Sequence, residues 1–201
     1  MPRLLLATHN QHKTAEFESL LRGSGIEVLT LEVFPSIGPT EEDEPTLEGN
    51  ALKKAREVFA KSGLPSVADD TGLEVYYLNG EPGVFSSRYS GPGATYDSNC
   101  RKLLDSLRGV PPWRRGARFR CVLAFVAPWD VVRIAEGVCE GKIIETKRGT
   151  GGFGYDPLFL PVGSGQTFAE MDPPTKNRIS HRGKALEALK TELLEYFKTH
   201  G

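Results

Sequence analysis

The chain has 201 residues, of which 39% are hydrophobic and 25% are charged, and this predicts one globular domain over residues 1–201. A formal net charge of −1 argues against a protein that coats nucleic acid, because such proteins carry a basic excess. The three cysteines are widely spaced and the N-terminal apolar run is too short for a signal peptide or a membrane span, so we expect a cytoplasmic protein with neither a disulfide framework nor a membrane partner.

The first half of the chain predicts alternating strands and helices. In chain order these are a strand over 4–7, a helix after the polar stretch 8–13, a strand over 26–31, a helix that begins after the N-cap Thr46, and a short buried strand over 65–68. We expect Gly72 to form the turn after this last strand. The pair Asn79-Gly80 predicts the tight turn of a hairpin-like region over 73–85.

The second half of the chain completes an α/β pattern. It predicts a helix over 99–107, strands over 119–127 and 131–138, a glycine-rich loop over 149–154, and a closing helix that begins at Ser180. Because only residues 128–130 join the two strands, we expect these strands to pair antiparallel. Strands and helices mixed in this order indicate an α/β domain with a mixed sheet.

Two adjacent carboxylates, Asp69 and Asp70, follow the predicted buried strand. Carboxylates in such a place are costly unless something cationic uses them. Together with the acidic run over 41–44 they are candidates for oxygen ligands of Mg²⁺. The alternative is a solvated turn, since Asp-Asp-Thr-Gly is also good turn chemistry, and an acidic run is usually a solvated loop.

Three further segments are candidates for binding an anion or a ring. The polar stretch 8–13 places Lys13 at a helix start, where backbone N–H groups favour phosphate, although a capped helix start is the alternative. The glycines over 149–154 allow the backbone to approach a ligand, with Phe153 or Tyr155 available to stack, unless the segment is a hairpin with a core aromatic. The stretch 176–182 places cations at a helix start, which is unfavourable unless they face an anion; a solvated basic patch is the alternative.

Six motifs in this order resemble one family. They are Thr8-His-Asn-x-x-Lys13, Asn50-Ala-Leu-x-Lys-Ala55, Ala68-Asp-Asp-Thr-Gly-Leu73, Ser87-Arg-Tyr-Ser-Gly91, Gly152-Phe-Gly-Tyr-Asp-Pro157 and Ser180-His-Arg182. The chain resembles, over essentially its whole length, the inosine/xanthosine triphosphate pyrophosphatases, also called Ham1-like proteins. One departure is Gly49, where the family usually has an acidic residue, and it concerns only the local helix cap.

The resemblance implies both a fold and an activity. The implied fold is an α/β domain with an elongated, curved mixed β-sheet flanked by helices, and with two lobes that enclose the active site in a cleft. The implied activity is the Mg²⁺-dependent hydrolysis of the non-canonical purine nucleotides ITP, dITP and XTP to the monophosphate and pyrophosphate. The implied assembly is a homodimer.

The resemblance also implies roles for individual residues. Asp70 would be the catalytic carboxylate that activates water and helps to hold the metal, and Glu41, with Glu42 as the alternative, would be the second metal ligand. The residues implied to bind the substrate are Thr8, His9, Asn10, Gln11, His12, Lys13, Thr71, Phe153, Gly154, Tyr155, Asp156, Lys176, His181 and Arg182. The first seven would hold the triphosphate, and the others would hold the base and a nearby phosphate. Within that set, His181 and Arg182 would donate to the 6-keto oxygen of the purine.

Two other interpretations make different predictions. A Maf-like pyrophosphatase of similar fold would act on modified pyrimidines, but the segments 152–157 and 180–182 argue against it. A nucleotide-sensing or RNA-binding module would bind without turnover. Asp69 and Asp70 argue against the sensor, because carboxylates beside a phosphate site repel the ligand unless a metal intervenes.

Overall fold

The computed structural model describes residues 1–200. The helices α1 to α5 are Gln11–Leu21, Leu47–Ser62, Tyr96–Ser106, Pro173–Ile179 and His181–His200. The strands β1 to β7 are Arg3–Leu6, Glu27–Leu29, Ser66–Val75, Pro82–Gly83, Gly116–Ala127, Val131–Ile143 and Phe159–Pro161. None of these helices is long and apolar enough to cross a membrane.

The strands form one sheet in the order β2-β1-β3-β5-β6-β7, and β4 pairs with β3 off this path. The strand β1 is parallel to both β2 and β3. By contrast, β4 is antiparallel to β3, and β7 is antiparallel to β6. The predicted α/β class with a mixed sheet is therefore confirmed.

The chain forms two compact units, each built from separate segments. Unit 1 consists of Met1–Asp70, Cys121–Gly137 and the chain from Arg182 on. Its core packs apolar side chains of β1, α1, β5 and α5, which include Leu4, Leu6, Phe17, Phe125 and Leu189. The predicted apolar stripe of the closing helix lies in this core, because Leu186, Leu189, Leu193 and Phe197 all belong to it.

Unit 2 consists of Thr71–Arg120 and Val138–His181. Its core gathers apolar side chains of β3, α3, β5 and the segment around β7, which include Leu73, Leu103, Phe119, Phe159 and Phe168. Unit 2 also carries the predicted turn at Asn79-Gly80, where both residues have positive φ, 53° and 92°.

The prediction of a short strand that ends in a turn at Gly72 is wrong. The strand β3 continues through Asp69, Asp70 and Gly72 to Val75. At its start it pairs with β1, and at its end Leu73 and Glu74 pair with β4. The local Asp-Asp-Thr-Gly sequence suits a turn, but these neighbouring strands provide the backbone partners that keep the segment extended.

Two helices differ from the predicted boundaries, and one was not predicted. The helix α1 begins at Gln11, inside the stretch expected to precede it, because Asn10 caps it. The helix α3 begins at Tyr96, because Thr95 and Ser98 form a capping box. The short helix α4 was not predicted. The N-cap at Thr46 is confirmed, since its hydroxyl oxygen accepts the N–H of Gly49 at 3.0 Å.

Candidate active site

The strand β3 directs Asp69 and Asp70 to different partners. Successive side chains of a strand point to opposite faces of the sheet. Accordingly, Asp69 contacts cations of α1 and α5, whereas Asp70 contacts side chains of α2. All of these groups belong to unit 1. Two neighbouring residues of the same type therefore have different electrostatic surroundings.

Asp69 is a buried carboxylate held by two cations. Lys13 Nζ lies 3.0 Å from its Oδ2, and Arg182 donates to the same oxygen from Nη2 at 2.9 Å and from Nε at 3.2 Å. Arg182 is itself 1% exposed and also donates to Glu16 through Nη1. Burial alone would raise the pKa of Asp69, but the charges of Lys13 and Arg182 outweigh it and hold that pKa well below its ordinary value.

Asp70 shares one ammonium group with Glu42. Lys54 Nζ lies 2.9 Å from Asp70 Oδ1 and 2.8 Å from Glu42 Oε1. Burial is the main reason that the pKa of Asp70 lies above its ordinary value; Lys54 lowers it in part, and Glu42 opposes that effect. Burial would lower the pKa of Lys54, but the surrounding carboxylates outweigh it and raise that pKa. The group therefore keeps Lys54 protonated and favours proton uptake by Asp70.

The pair of carboxylates suits a metal that needs few protein ligands. Within residues 1–200 no group of three or more His, Cys, Asp or Glu side chains could hold a metal ion. Mg²⁺ is typically bound by one or two carboxylates, waters and substrate phosphates. Asp70 and Glu42 meet that requirement, whereas Glu41 is exposed.

The stretch 8–13 combines a capped helix start with one inward-directed cation. The Asn10 side chain accepts the N–H groups of His12 at 3.0 Å and of Lys13 at 3.4 Å, and the Asn10 N–H donates to Thr8 Oγ1 at 3.2 Å. His9, Gln11 and His12 are exposed. Of these six residues, Lys13 is the one whose charged group the structure brings to the acidic residues of β3.

A second cluster of predicted site residues lies in unit 2. Asp156 Oδ2 accepts Lys176 Nζ at 2.7 Å and the N–H of Phe153 at 2.8 Å, and both charged side chains are buried. Lys176 Nζ also lies 4.9 Å from the ring centre of Phe153. Asp156 thus links the glycine-rich loop to α4, and Phe153 remains half-buried beside this ion pair.

Tyr155 and His181 are both packed into unit 2. Tyr155 is 4% exposed and donates its hydroxyl to the Ser86 carbonyl at 2.9 Å, so it is the core aromatic of the loop rather than an open stacking surface. His181 is also 4% exposed and stacks on Phe119 with ring centres 4.6 Å apart.

The two remaining predicted residues are Gly154 and Thr71. The backbone carbonyl of Gly154 accepts a hydrogen bond from the Cys100 thiol at 3.3 Å. Thr71 is half-buried in β3.

The glycine-rich loop provides a direct test of the Asp156–Lys176 pair. Gly152 has φ +66°, and a Cβ there would lie 2.1 Å from Asp156 Oδ2. We expect Gly152→Ala to displace Asp156 from Lys176 and to lower the free energy of unfolding by about 2–4 kcal/mol, as measured by urea denaturation. The loss combines a steric clash with a left-handed backbone conformation that disfavours any side chain.

Gly154→Ala is the matched control for this prediction. Gly154 has nearly the same φ, +62°, but a Cβ there meets no described atom within 4 Å. The control should therefore show only the backbone cost, roughly 1–2 kcal/mol. Equal losses in the two variants would contradict the clash with Asp156.

Sequence reasoning assigned no role to Lys54, Asn50 or Glu16. Lys54 and Asn50 belong to one of the six motifs, and their spacing of four residues places them on one face of α2. This spacing could have indicated that Lys54 and Asn50 act together. Which residue they contact, however, depends on how α2 packs against β3. Glu16 carries no comparable signal, because its partner Arg182 is 166 residues away in the chain.

Known proteins resemble this chain over most of its length. A sequence model of the Ham1 family matches residues 4–192. A protein of Desulfotalea psychrophila named dITP/XTP pyrophosphatase is 47% identical over 198 residues, which cover 98% of this chain and 88% of the relative. A Methylococcus capsulatus protein of the same name is 48% identical over 193 residues, covering 95% of this chain and 96% of the relative.

The solved structures agree with the sequence matches. The structure of a HAM1 protein from Coxiella burnetii is 44% identical to this chain, covers 97% of it and is itself covered in full, with a TM-score of 0.87. The match therefore extends over nearly the whole chain in both sequence and fold. On these grounds the chain belongs to the Ham1 family.

Proposed function

We propose that this protein hydrolyses the non-standard purine nucleoside triphosphates dITP, ITP and XTP to the monophosphate and pyrophosphate. The observation that carries the proposal is the Lys54 ammonium, which lies between the carboxylates of the buried Asp70 and the half-buried Glu42. The names of the Desulfotalea and Methylococcus relatives support the choice of substrate. From the family resemblance we also propose a homodimer in the cytoplasm.

Asp70 and Glu42 would hold Mg²⁺. We choose Glu42 over Glu41 because Glu42 is the carboxylate that reaches Lys54 beside Asp70. When bound, Mg²⁺ neutralises charge on the substrate phosphates and orients them. The proposed site also includes Lys13 and Lys54, whose charges offset those of the triphosphate.

Asp70 would accept a proton from the attacking water. The water oxygen bonds to the α-phosphorus, the bond from this phosphorus to the bridging oxygen breaks, and pyrophosphate leaves with the electron pair. The raised pKa of Asp70 makes it a stronger base than an exposed aspartate. The contact with Lys54 opposes this increase in the pKa of Asp70 and favours the ionised carboxylate, which is the form that can act as the base.

The residues of unit 2 would recognise the base. Phe153 would stack on the purine ring, and His181 and Lys176 are the proposed donors near its 6-keto oxygen. Arg182 would act indirectly, because its guanidinium is engaged by Asp69 and Glu16. A buried donor left facing the amino group of adenine can discriminate by roughly 10⁴-fold.

Release of pyrophosphate tests the proposed function. We expect Mg²⁺-dependent turnover of dITP, ITP and XTP that exceeds turnover of ATP, GTP and dUTP, with the monophosphate as product. Preferential turnover of pyrimidines would instead favour the Maf-like interpretation. Binding of nucleotide without turnover would favour a sensor.

A further inference from the structure

Asn50 is a fully buried amide at the centre of the acidic residues. It lies on α2 with 0% exposure. Its Nδ2 donates to Asp70 Oδ2 at 3.3 Å, and its Oδ1 accepts the N–H of Glu44 at 3.0 Å. A longer contact joins Nδ2 to the Glu44 carbonyl at 3.5 Å. The side chain therefore connects the proposed catalytic carboxylate to the acidic loop.

The orientation of this amide follows from its partners. The Glu44 N–H is a donor and needs an acceptor, so the oxygen of Asn50 must face the loop. The NH₂ group then faces Asp70, which as a carboxylate offers only acceptors. An aspartate of the same size at position 50 would satisfy the loop but would turn an acceptor toward Asp70.

The helix α2 engages both oxygens of Asp70. Asn50 holds Oδ2, and Lys54, one turn later, holds Oδ1. A carboxylate bound at both oxygens by one helix has a fixed plane. Through Glu44, the same amide also fixes the backbone two residues from Glu42, the carboxylate that shares Lys54.

We propose that Asn50 is a positioning residue for hydrolysis: its amide orients the Asp70 carboxylate and ties the loop that carries Glu42 to it. This inference rests on the proposed function, because it assigns Asp70 the role of base. Asn50 itself contacts neither water nor phosphate in this scheme. Its loss should therefore affect the rate of the chemical step more than the binding of substrate.

Two substitutions separate the two contacts of Asn50. Asn50→Asp keeps the acceptor for the Glu44 N–H and replaces the donor to Asp70, whereas Asn50→Ala removes both. We expect Asn50→Asp to lower kcat for dITP by about 10²-fold, since displacing a catalytic group by 1 Å can have that effect, with KM changed less than about threefold. Asn50→Ala should lower kcat at least as much and should also raise the Mg²⁺ concentration needed for half-maximal rate.

Asn99→Asp is the matched control. Asn99 is also a buried helical asparagine, 2% exposed, and its amide holds the Ser87 carbonyl and the Ser90 N–H, far in the chain from Asp70. It should lower the unfolding midpoint without the selective loss of kcat. A kcat within twofold of the wild type for both Asn50 variants would overturn the proposal. An equal loss of kcat in Asn99→Asp would also overturn it.

A measurement without turnover tests the contact itself. The side-chain NH₂ signals of Asn50 should move in the ¹H–¹⁵N spectrum of Asp70→Ala, while those of Asn99 stay in place. Unmoved Asn50 signals would overturn the proposal. A wild-type protein that hydrolyses no purine triphosphate would refute the proposed function instead, and these amide signals would still decide whether Asn50 holds Asp70.

Discussion

Asp70→Asn is expected to lower turnover of dITP by about 10²–10⁴-fold, the usual contribution of a general base, while the protein stays folded. The substitution removes the proton acceptor and one of the two proposed metal ligands. Some stability should be lost, because Asn50 and Lys54 donate to the two oxygens of Asp70 and asparagine offers only one. The protein should stay folded, however, since Lys54 keeps Glu42 as a partner. Pyrophosphate release and urea denaturation of the same sample measure both effects.

Two neighbouring glutamates supply the control for this result. Glu42→Gln should lower turnover and raise the Mg²⁺ concentration needed for half-maximal rate, because Glu42 shares Lys54 with Asp70. Glu41→Gln, at the exposed neighbouring position, should have little effect. The opposite order would transfer the metal role to Glu41, and Asp70→Asn activity within a few-fold of the wild type would remove Asp70 from its role.

Asp69→Asn is expected to lower mainly the free energy of unfolding, whereas Asp70→Asn, the same substitution at the next residue, should lower mainly turnover. Removing one partner of a buried ion pair typically costs about 3–5 kcal/mol. Here it would leave Lys13 and the buried Arg182 without the carboxylate that they share. Urea denaturation at neutral pH measures the loss. A loss close to that of Asp43→Asn, which breaks an exposed ion pair, would contradict the stabilising role of Asp69.

The stabilising effect of Asp69 should also depend on pH. Its pKa is lowered in the folded protein relative to about 3.9 in an unfolded chain. The contribution is therefore fully present above that unfolded value and is lost as the pH falls below it toward the folded value. Unfolding free energies measured between pH 7 and pH 3 should fall more steeply at the acid end in the wild type than in Asp69→Asn.

Elements with strong local signals were predictable from the sequence. The helix α2 follows from the Thr46 cap and the spacing of its buried residues Leu47, Ala51, Ala55 and Val58. The path of β3 was not predictable, because its continuation past Asp70 depends on pairing with β4, which lies later in the chain. The helix α4 has seven residues and begins with two prolines, so periodicity could not reveal it.

The candidate site shows the same division between local and long-range information. Asp70 could be found because a carboxylate directly after an apolar run is chemically unusual, although the strand itself continues past it. The contact with Lys54 could not, because the packing of α2 against β3 determines it. The sequence predicts that Arg182 faces an anion, because a cation at a helix start is otherwise unfavourable. In the structure, the protein itself supplies two such anions, Asp69 and Glu16.

The two cores also differ in the point during synthesis at which all of their residues are available. Unit 1 packs Leu4, Leu6 and Phe17 against residues of α5, which is synthesised after every segment of unit 2. Unit 2 therefore has all its core residues available first, although the chain begins with unit 1. We therefore expect unit 2 to be able to fold before unit 1 is complete, in contrast to the usual order in which the part made first also folds first. Until α5 emerges, the apolar side chains of β1 and α1 lack part of their core, and we expect them to be a site of aggregation during that interval.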